Sequence, residues 1–320
     1  MKDLSVIIPA RNEYFLRKTI ENILENIEAD TEIIAICDGY WPDPPIYDHS
    51  KVIIVHHTES IGQRAATNEG ARISQAEFIM KADAHCAFGK GFDRILINDC
   101  KYNWTMIPMM WNLHAFDWEC KTCKNRIYQG NKPEYCEKCD STEFEMKIVW
   151  QPRGNKVTFS WRFDNNMNFQ YWRKHRKRDE AKGDLIETMS FIGACFLINR
   201  QRFWDIDGLD EKHGSWGNFG TEIACKTWLS GGSLITSKKT WFAHMFRTGN
   251  FKGAFGGESS FPYYMSAHAV EKAKEYSRDI WLNDKWSKAK YPLSWLVEKF
   301  WPVPDWTEED LAKIKKRKAA

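Results

Sequence analysis

What most constrains this chain is a rhythm: between Leu4 and Ala82, short apolar runs alternate with segments whose apolar residues recur at helical spacing. Leu4–Ile8 is an apolar run closed by Pro9, and Glu13–Ile27 carries an apolar helical face, so the opening reads strand, turn, helix. Strands are predicted over Glu32–Cys37, Lys51–His56 and Glu77–Ala82, with a turn-rich stretch at Trp41–Pro45 and a helix over Gln63–Ser74. This alternation predicts an α/β fold, a mixed and mainly parallel sheet flanked by helices. Ligands of such sheets bind beyond the carboxyl ends of the strands. Asp38 and Asp83 both fall at such ends.

The rhythm breaks from about Asp117 to Gln151, where paired cysteines, charges and turn residues read as an insertion. It resumes with the apolar segment Ser190–Ile198 and the helix-like Thr221–Leu229. The glycine-rich stretch Gly249–Ser260 reads as a mobile loop, a helix-rich segment follows, and the basic end Lys313–Ala320 is expected to fray. No internal repeat is visible. The 320 residues suit one main domain with appendages. With 43% hydrophobic and 28% charged residues, the composition excludes disorder over most of the chain. A net charge of +3 is too small to announce nucleic-acid binding by itself.

Four of the nine cysteines form two pairs, Cys120-x-x-Cys123 and Cys136-x-x-Cys139, with twelve residues between them. Each pair makes a turn that presents two thiolates to one tetrahedral ion, so a structural Zn2+ ribbon is expected. Four cysteine ligands leave that metal no open position for chemistry. The other five, Cys37, Cys86, Cys100, Cys195 and Cys225, lie in unrelated segments, a usage that suits a reducing compartment. Met1-Lys2-Asp3 leads straight into the first strand without the features of a signal peptide, and no run reaches the roughly 18–20 apolar residues of a membrane span. The expectation is a soluble, cytoplasmic protein.

Asp83-Ala84-His85 sets two metal-ligating side chains two residues apart at a strand end. They can grip one divalent cation and leave positions open for phosphate oxygens. Alone, the triplet serves as readily as a cap beside a surface residue; its surroundings decide. Ser5-Val6-Ile7-Ile8-Pro9-Ala10-Arg11-Asn12-Glu13, Ile61-Gly62-Gln63-Arg64-Ala65-Ala66 and Asp83-Ala84-His85-Cys86 resemble family-2-type glycosyltransferases of the GT-A fold. The closest likeness is to the catalytic domain of the polypeptide N-acetylgalactosaminyltransferases. It continues from Trp216-Gly217 through Glu222 to Trp228, Gly231-Gly232 and His244-Met245-Phe246-Arg247.

The resemblance implies a UDP-sugar donor and a catalytic Mn2+ or Mg2+ held by Asp83, His85 and His244. It implies donor contacts from Pro9, Arg11, Glu13 and Trp216, from Asp38 to the uracil, and from Arg64 to the phosphates or the metal-binding loop. Arg247 is expected as a phosphate clamp, because guanidinium binds oxyanions in a fork. The glycine-rich stretch after it is placed to close as a lid over the bound donor. The organisation that follows is a nucleotide-sugar-binding half at 1–116, the zinc ribbon at 117–151, an acceptor-side half with the lid at 152–260, and a helical segment at 261–320. Two departures stand out. Phe219 replaces a glutamate of the family, which leaves donor specificity open, and the family's C-terminal lectin module is not expected.

An inverting reaction needs a carboxylate to deprotonate the acceptor, and Glu222 and Asp210 are the candidates. A retaining reaction, as in the resembled family, needs none. The ribbon and the basic run Trp172-Arg173-Lys174-His175-Arg176-Lys177-Arg178 point to a DNA or RNA acceptor such as a hydroxylated base. A protein hydroxyl and a glycan or cell-wall precursor compete with it. A non-catalytic nucleic-acid-binding protein on a degenerate transferase fold is the alternative from another class. A nucleotidyltransferase ranks behind both, since Pro9–Glu13 lacks a glycine-rich phosphate loop. The sixteen tryptophans stack equally well on sugars and bases and do not discriminate.

Overall fold

The computed structural model describes residues 1–214, 217–246 and 267–317. The chain opens with β1 (Leu4–Ala10), α1 (Leu16–Asn26), β2 (Thr31–Asp38), β3 (Val52–His57), α2 (Gln63–Ile73), β4 (Phe78–Ala82), β5 (Cys86–Phe88) and α3 (Phe92–Asp99). A long strand β6 (Trp104–Cys120) is followed by β7 (Arg126–Tyr128), β8 (Phe144–Thr158), β9 (Trp161–Phe163), β10 (Phe169–Tyr171) and β11 (Leu185–Glu187). Then come β12 (Cys195–Asn199), α4 (Arg200–Asp205), α5 (Phe219–Leu229), β13 (Ser233–His244), α6 (Ala267–Leu282), α7 (Leu293–Lys299) and α8 (Glu308–Arg317).

The main sheet runs β11-β13-β6-β12-β4-β1-β2-β3, and β12 is antiparallel to both of its neighbours. The pairs β4-β1, β1-β2, β2-β3 and β13-β6 are parallel, so the sheet is mixed and mostly parallel. Helices cover it, which is why β1 reads as a continuous apolar run rather than an alternating one: Val6, Ile7 and Ile8 are all fully buried. Pro9 lies within β1, but pairing with β4 stops at Ile7, so it sits where one neighbour remains. Helix α2 packs directly on that strand. A Cβ on Gly70 would lie 2.4 Å from Ile7 Cγ2, so only glycine allows the approach.

The first helix starts at Leu16 rather than Glu13, because Glu13 is drawn into the site described below. The strand expected over Ser190–Ile198 begins only at Cys195. The expected fraying from Lys313 is corrected for Lys313–Arg317, which belong to α8, with Lys313 paired to Glu309 at 2.8 Å. The glycine-rich lid stretch lies outside the described residues. Among the described residues, no helix is long and apolar enough to cross a membrane.

Strands β6 and β8 run antiparallel from Met110–Thr158 out to Cys120–Phe144, forming an arm whose tip carries β7 and the four cysteines. At its other end β6 is paired in parallel with β13, where Asn112 stands opposite His244. One strand thus connects the cysteine cluster to the end of the main sheet.

Candidate metal centre and active site

Strand β4 ends at Ala82, and the turn that follows delivers Asp83 and His85 before β5 begins. The Asp83 N–H donates to Ala194 O at 2.8 Å, and the His85 carbonyl accepts from Met245 N at 3.1 Å, so both ends of the turn are pinned by the backbone. Strand β13 ends at His244 beside β5, after a register shift between Ser237 and Trp241 that re-aims its last residues. Three donor atoms converge there. His244 Nε2 lies 3.1 Å from Asp83 Oδ2 and 3.1 Å from His85 Nε2.

Two donors about 2.1 Å from one ion and at right angles to each other stand about 3 Å apart, so these separations suit one face of an octahedral site. The donor set, two imidazoles and one carboxylate, suits a borderline divalent cation such as Mn2+ and leaves the opposite face open. His85 is fixed by Glu13, whose Oε2 lies 3.0 Å from Nδ1 and so leaves Nε2 with the lone pair facing the centre. Burial holds His244 down to about 4, which keeps it neutral at neutral pH. Burial pushes Asp83 up, but Lys81 and then His244 outweigh it and hold the carboxyl well below the usual range. Lys81 is fully buried and donates to Asp83 Oδ1 and to Gly193 O. Asp83 therefore keeps Oδ2 for an ion while Oδ1 is occupied.

Glu13, expected at the donor, also stands 3.0 Å from His85 Nδ1, a contact that its sequence position does not announce. Only the fold shows which way the side chain points. Replacing Glu13 with Ala is expected to weaken Mn2+ binding about 10–100-fold, the usual cost of removing such a partner, as measured by isothermal titration.

Other expected donor contacts meet different partners. Asp38 is buried and accepts from Ser60 Oγ at 2.7 Å and from the Ile61 and Gly62 N–H groups at 2.6 and 3.1 Å, so it shapes the loop before α2. Arg64 is buried and donates to Glu222 Oε2 at 2.8 Å and to Gly217 O at 2.9 Å. Through these contacts it ties α2 to the segment entering α5. Pro9 and Arg11 lie at the carboxyl end of β1. Trp216 and Arg247 lie outside the described residues.

Glu222, a candidate acceptor base, is enclosed by protein partners. It is fully buried, paired with Arg64, 3.0 Å from Lys226 Nζ, and accepts from Asp210 N at 2.6 Å. Burial pushes its carboxyl up, yet Lys226 and Arg64 hold it down to about 2. Asp210 accepts from Lys212 N at 3.0 Å and from Tyr276 Oη at 2.8 Å. Asp210 and Glu222 line a cavity of 440 Å³ with His213, Lys226 and Trp281, a cavity that Asp83, His85 and His244 do not line. Where the resembled family has its glutamate, Phe219 packs its ring 4.9 Å from Lys81 Nζ and 5.4 Å from the Arg64 guanidinium.

At the tip of the arm, Cys120 and Cys139 have sulfurs 3.6 Å apart, and Cys123 and Cys136 3.5 Å. Tetrahedral zinc with bonds of about 2.3 Å sets sulfurs about 3.8 Å apart, whereas a disulfide needs about 2 Å, so the cluster fits the ion. The N–H groups of Cys123 and Thr122 hold the Cys120 thiol down to about 6, which readies a thiolate. Within the basic run Arg173, Lys174, Arg176 and Lys177 are exposed, while two members turn inward. His175 is fully buried against Ser160, and Arg178 stacks on Trp172 and donates to Phe300 O at 2.8 Å. Trp150, Trp161 and Trp172 are buried, so they offer no stacking platform.

Comparison with known proteins agrees with this geometry. Residues 5–113 match the model of glycosyl transferase family 2. N-acetylgalactosaminyltransferase 6 of Drosophila melanogaster is 26% identical over 261 residues, 76% of this chain and 34% of the relative. Human polypeptide N-acetylgalactosaminyltransferase 13 is 22% identical over 291 residues, 89% of this chain and 41% of the relative. The chain thus spans well under half the length of these relatives. A crystal structure of GalNAc-T7 with UDP, GalNAc and Mn2+ superposes with a TM-score of 0.59 and 16% identity over 99% of this chain and 55% of that one, which establishes a shared fold. Residues 5–113 are therefore similar to the glycosyl transferase family 2 model, within a chain of GT-A fold that resembles the catalytic domain of the polypeptide N-acetylgalactosaminyltransferases.

Proposed function

We propose that this protein is a metal-dependent glycosyltransferase that moves a sugar from a UDP-sugar to a hydroxyl of a polypeptide. The observation that carries the reading is the convergence of Asp83 Oδ2, His85 Nε2 and His244 Nε2 at the carboxyl end of β4, with an octahedral spacing and Glu13 behind His85. These residues would hold Mn2+ or Mg2+, which as a Lewis acid neutralises the charge on the departing UDP. Lys81 keeps Asp83 ionised and turned so that Oδ2 faces the ion. Pro9, Arg11, Trp216 and Arg247 are assigned to the donor by the resemblance of their segments.

The polypeptide acceptor is supported by the names of the relatives. A nucleic-acid acceptor draws its support from the exposed Arg173, Lys174, Arg176 and Lys177 of the basic run, while His175 and Arg178 turn inward. Retention of the anomeric configuration is the reading that the engagement of Glu222 and Asp210 with protein partners supports, because that route needs no acceptor base. Zinc at the four cysteines, and the reducing compartment that keeps them as thiolates, belong to the same reading.

The experiment is a screen of nucleotide sugars with Mn2+. One UDP-sugar is expected to stabilise the fold by about 3 kcal/mol at a hundredfold excess over its Kd and to be turned over only with the metal. Absence of both effects for every donor overturns the proposal. Labelled sugar is then offered to serine- and threonine-containing peptides and to duplexes with and without hydroxymethylated bases. Transfer to peptides is expected; transfer to modified duplexes alone would move the acceptor to DNA.

A further inference from the structure

The zinc ribbon is set as though it were an acceptor-side appendage, but its core is continuous with residues beside two of the three metal donors, His85 and His244, and beside Glu13. Cys120 and Cys136 are buried in one apolar cluster with Trp118, Phe144 and Phe116, and that same cluster includes Phe15, Ala87, Ala243 and Met245. Ala243 and Met245 bracket His244 on both sides. Ala87 lies two residues beyond His85, and Met245 N holds the His85 carbonyl. Phe15 follows Glu13 by two residues, and its N–H reaches Glu13 Oε1 at 3.4 Å.

The contacts that join the two halves of this cluster are specific. Phe15 stacks on Phe116 of β6 at 5.8 Å between ring centres and lies 5.4 Å from Trp150 of β8. Gln129, just past β7, is buried. It accepts from Ala115 N at 2.8 Å and donates to Phe246 O at 3.4 Å, two residues beyond His244. Strand β6 itself runs from Asn112, opposite His244, to the ligand Cys120. The folded ribbon therefore reaches the Glu13–His85 pair through Phe15 and reaches His244 through β6 and Gln129.

We infer that the four-cysteine ribbon is a positioning module for the catalytic metal centre: zinc orders the arm, and the ordered arm holds Glu13, His85 and His244 in register. Phe15, Phe116, Trp150 and Gln129 are positioning residues that touch neither ion. The inference rests on the proposal that Asp83, His85 and His244 bind a divalent cation. It assigns the ribbon a role that needs no contact with an acceptor.

The test measures Mn2+ affinity by electron paramagnetic resonance, together with zinc per chain and the melting temperature. The proteins compared are the wild type, Cys136→Ser and Phe116→Leu. The wild type is expected to hold one zinc and to bind one Mn2+. Cys136→Ser loses zinc, and its Mn2+ Kd rises about 10–100-fold, the range seen when residues behind metal ligands are removed. Phe116→Leu keeps its zinc and a cooperative melt yet also binds Mn2+ more weakly, which separates loosened positioning from unfolding. Failure of the wild type to bind Mn2+ would remove the metal-centre reading itself. Unchanged Mn2+ affinity in zinc-free Cys136→Ser or in Phe116→Leu, with the wild type binding normally, would overturn the coupling alone.

Discussion

Asp83→Asn is expected to abolish most of the proposed metal-dependent turnover of the donor while keeping the shape of the side chain. The substitution removes the one negative charge among the three donors, of which Asp83 Oδ2 and His85 Nε2 each lie 3.1 Å from His244 Nε2. A bound cation supplies several kcal/mol of charge stabilisation in such reactions, which is about two to four powers of ten in rate. Because Asp83 also pairs with buried Lys81, the change leaves that ammonium without its carboxylate. His244→Gln is therefore measured beside it, since it spares the Lys81 pair and is expected to lose activity and Mn2+ binding to a similar extent. Donor hydrolysis with saturating Mn2+ is the readout. Activity of either variant within threefold of the wild type would contradict the assignment of these donors.

The second large effect is on stability. Glu222→Gln is expected to lower the unfolding free energy by about 3–5 kcal/mol, because it leaves the buried Arg64 and Lys226 charges without their counter-ion. The same group sets an acid limit. Its folded carboxyl is held down to about 2 against a usual 4.5, so its contribution is fully present above about pH 4.5 and is lost as pH falls from there through about 2. The size of that contribution is about 3 kcal/mol. Urea unfolding of wild type and variant between pH 2 and 7 checks both points. The two curves are expected to converge toward the acid end; a constant gap, or no gap at neutral pH, would show that Glu222 is not the buried counter-ion described.

Much of this was legible in the sequence, for identifiable reasons. The strands and helices up to Ala82 follow from apolar periodicity, because a sheet covered on both faces demands continuous apolar runs. The spacing of Asp83 and His85 suggested a metal turn only beside the resembling segments, whereas the spacing of the two cysteine pairs pointed to a zinc site by itself. His244 is 159 residues from His85 along the chain, and only resemblance linked them. What the sequence concealed is the direction of side chains. Glu13, Asp38 and Arg64 sit in motifs that suggest donor contacts, and each also meets a protein group that the motifs do not name. Arg64 meets Glu222 across 158 residues. Such pairings are decided by packing between distant segments, as is the full burial of Lys81 inside an apolar strand. The length of β6 was equally hidden: its apolar and polar residues follow two environments, a main sheet at one end and a cysteine-tipped arm at the other.

The most direct test of the metal-centre account is a titration of the protein with UDP in the presence of Mn2+, and again after chelation with EDTA, followed by calorimetry in wild type and His244→Gln. The account predicts UDP binding that requires Mn2+ in the wild type and is lost or severely weakened in the variant. Equal UDP affinity with and without the metal, unchanged by His244→Gln, would contradict it.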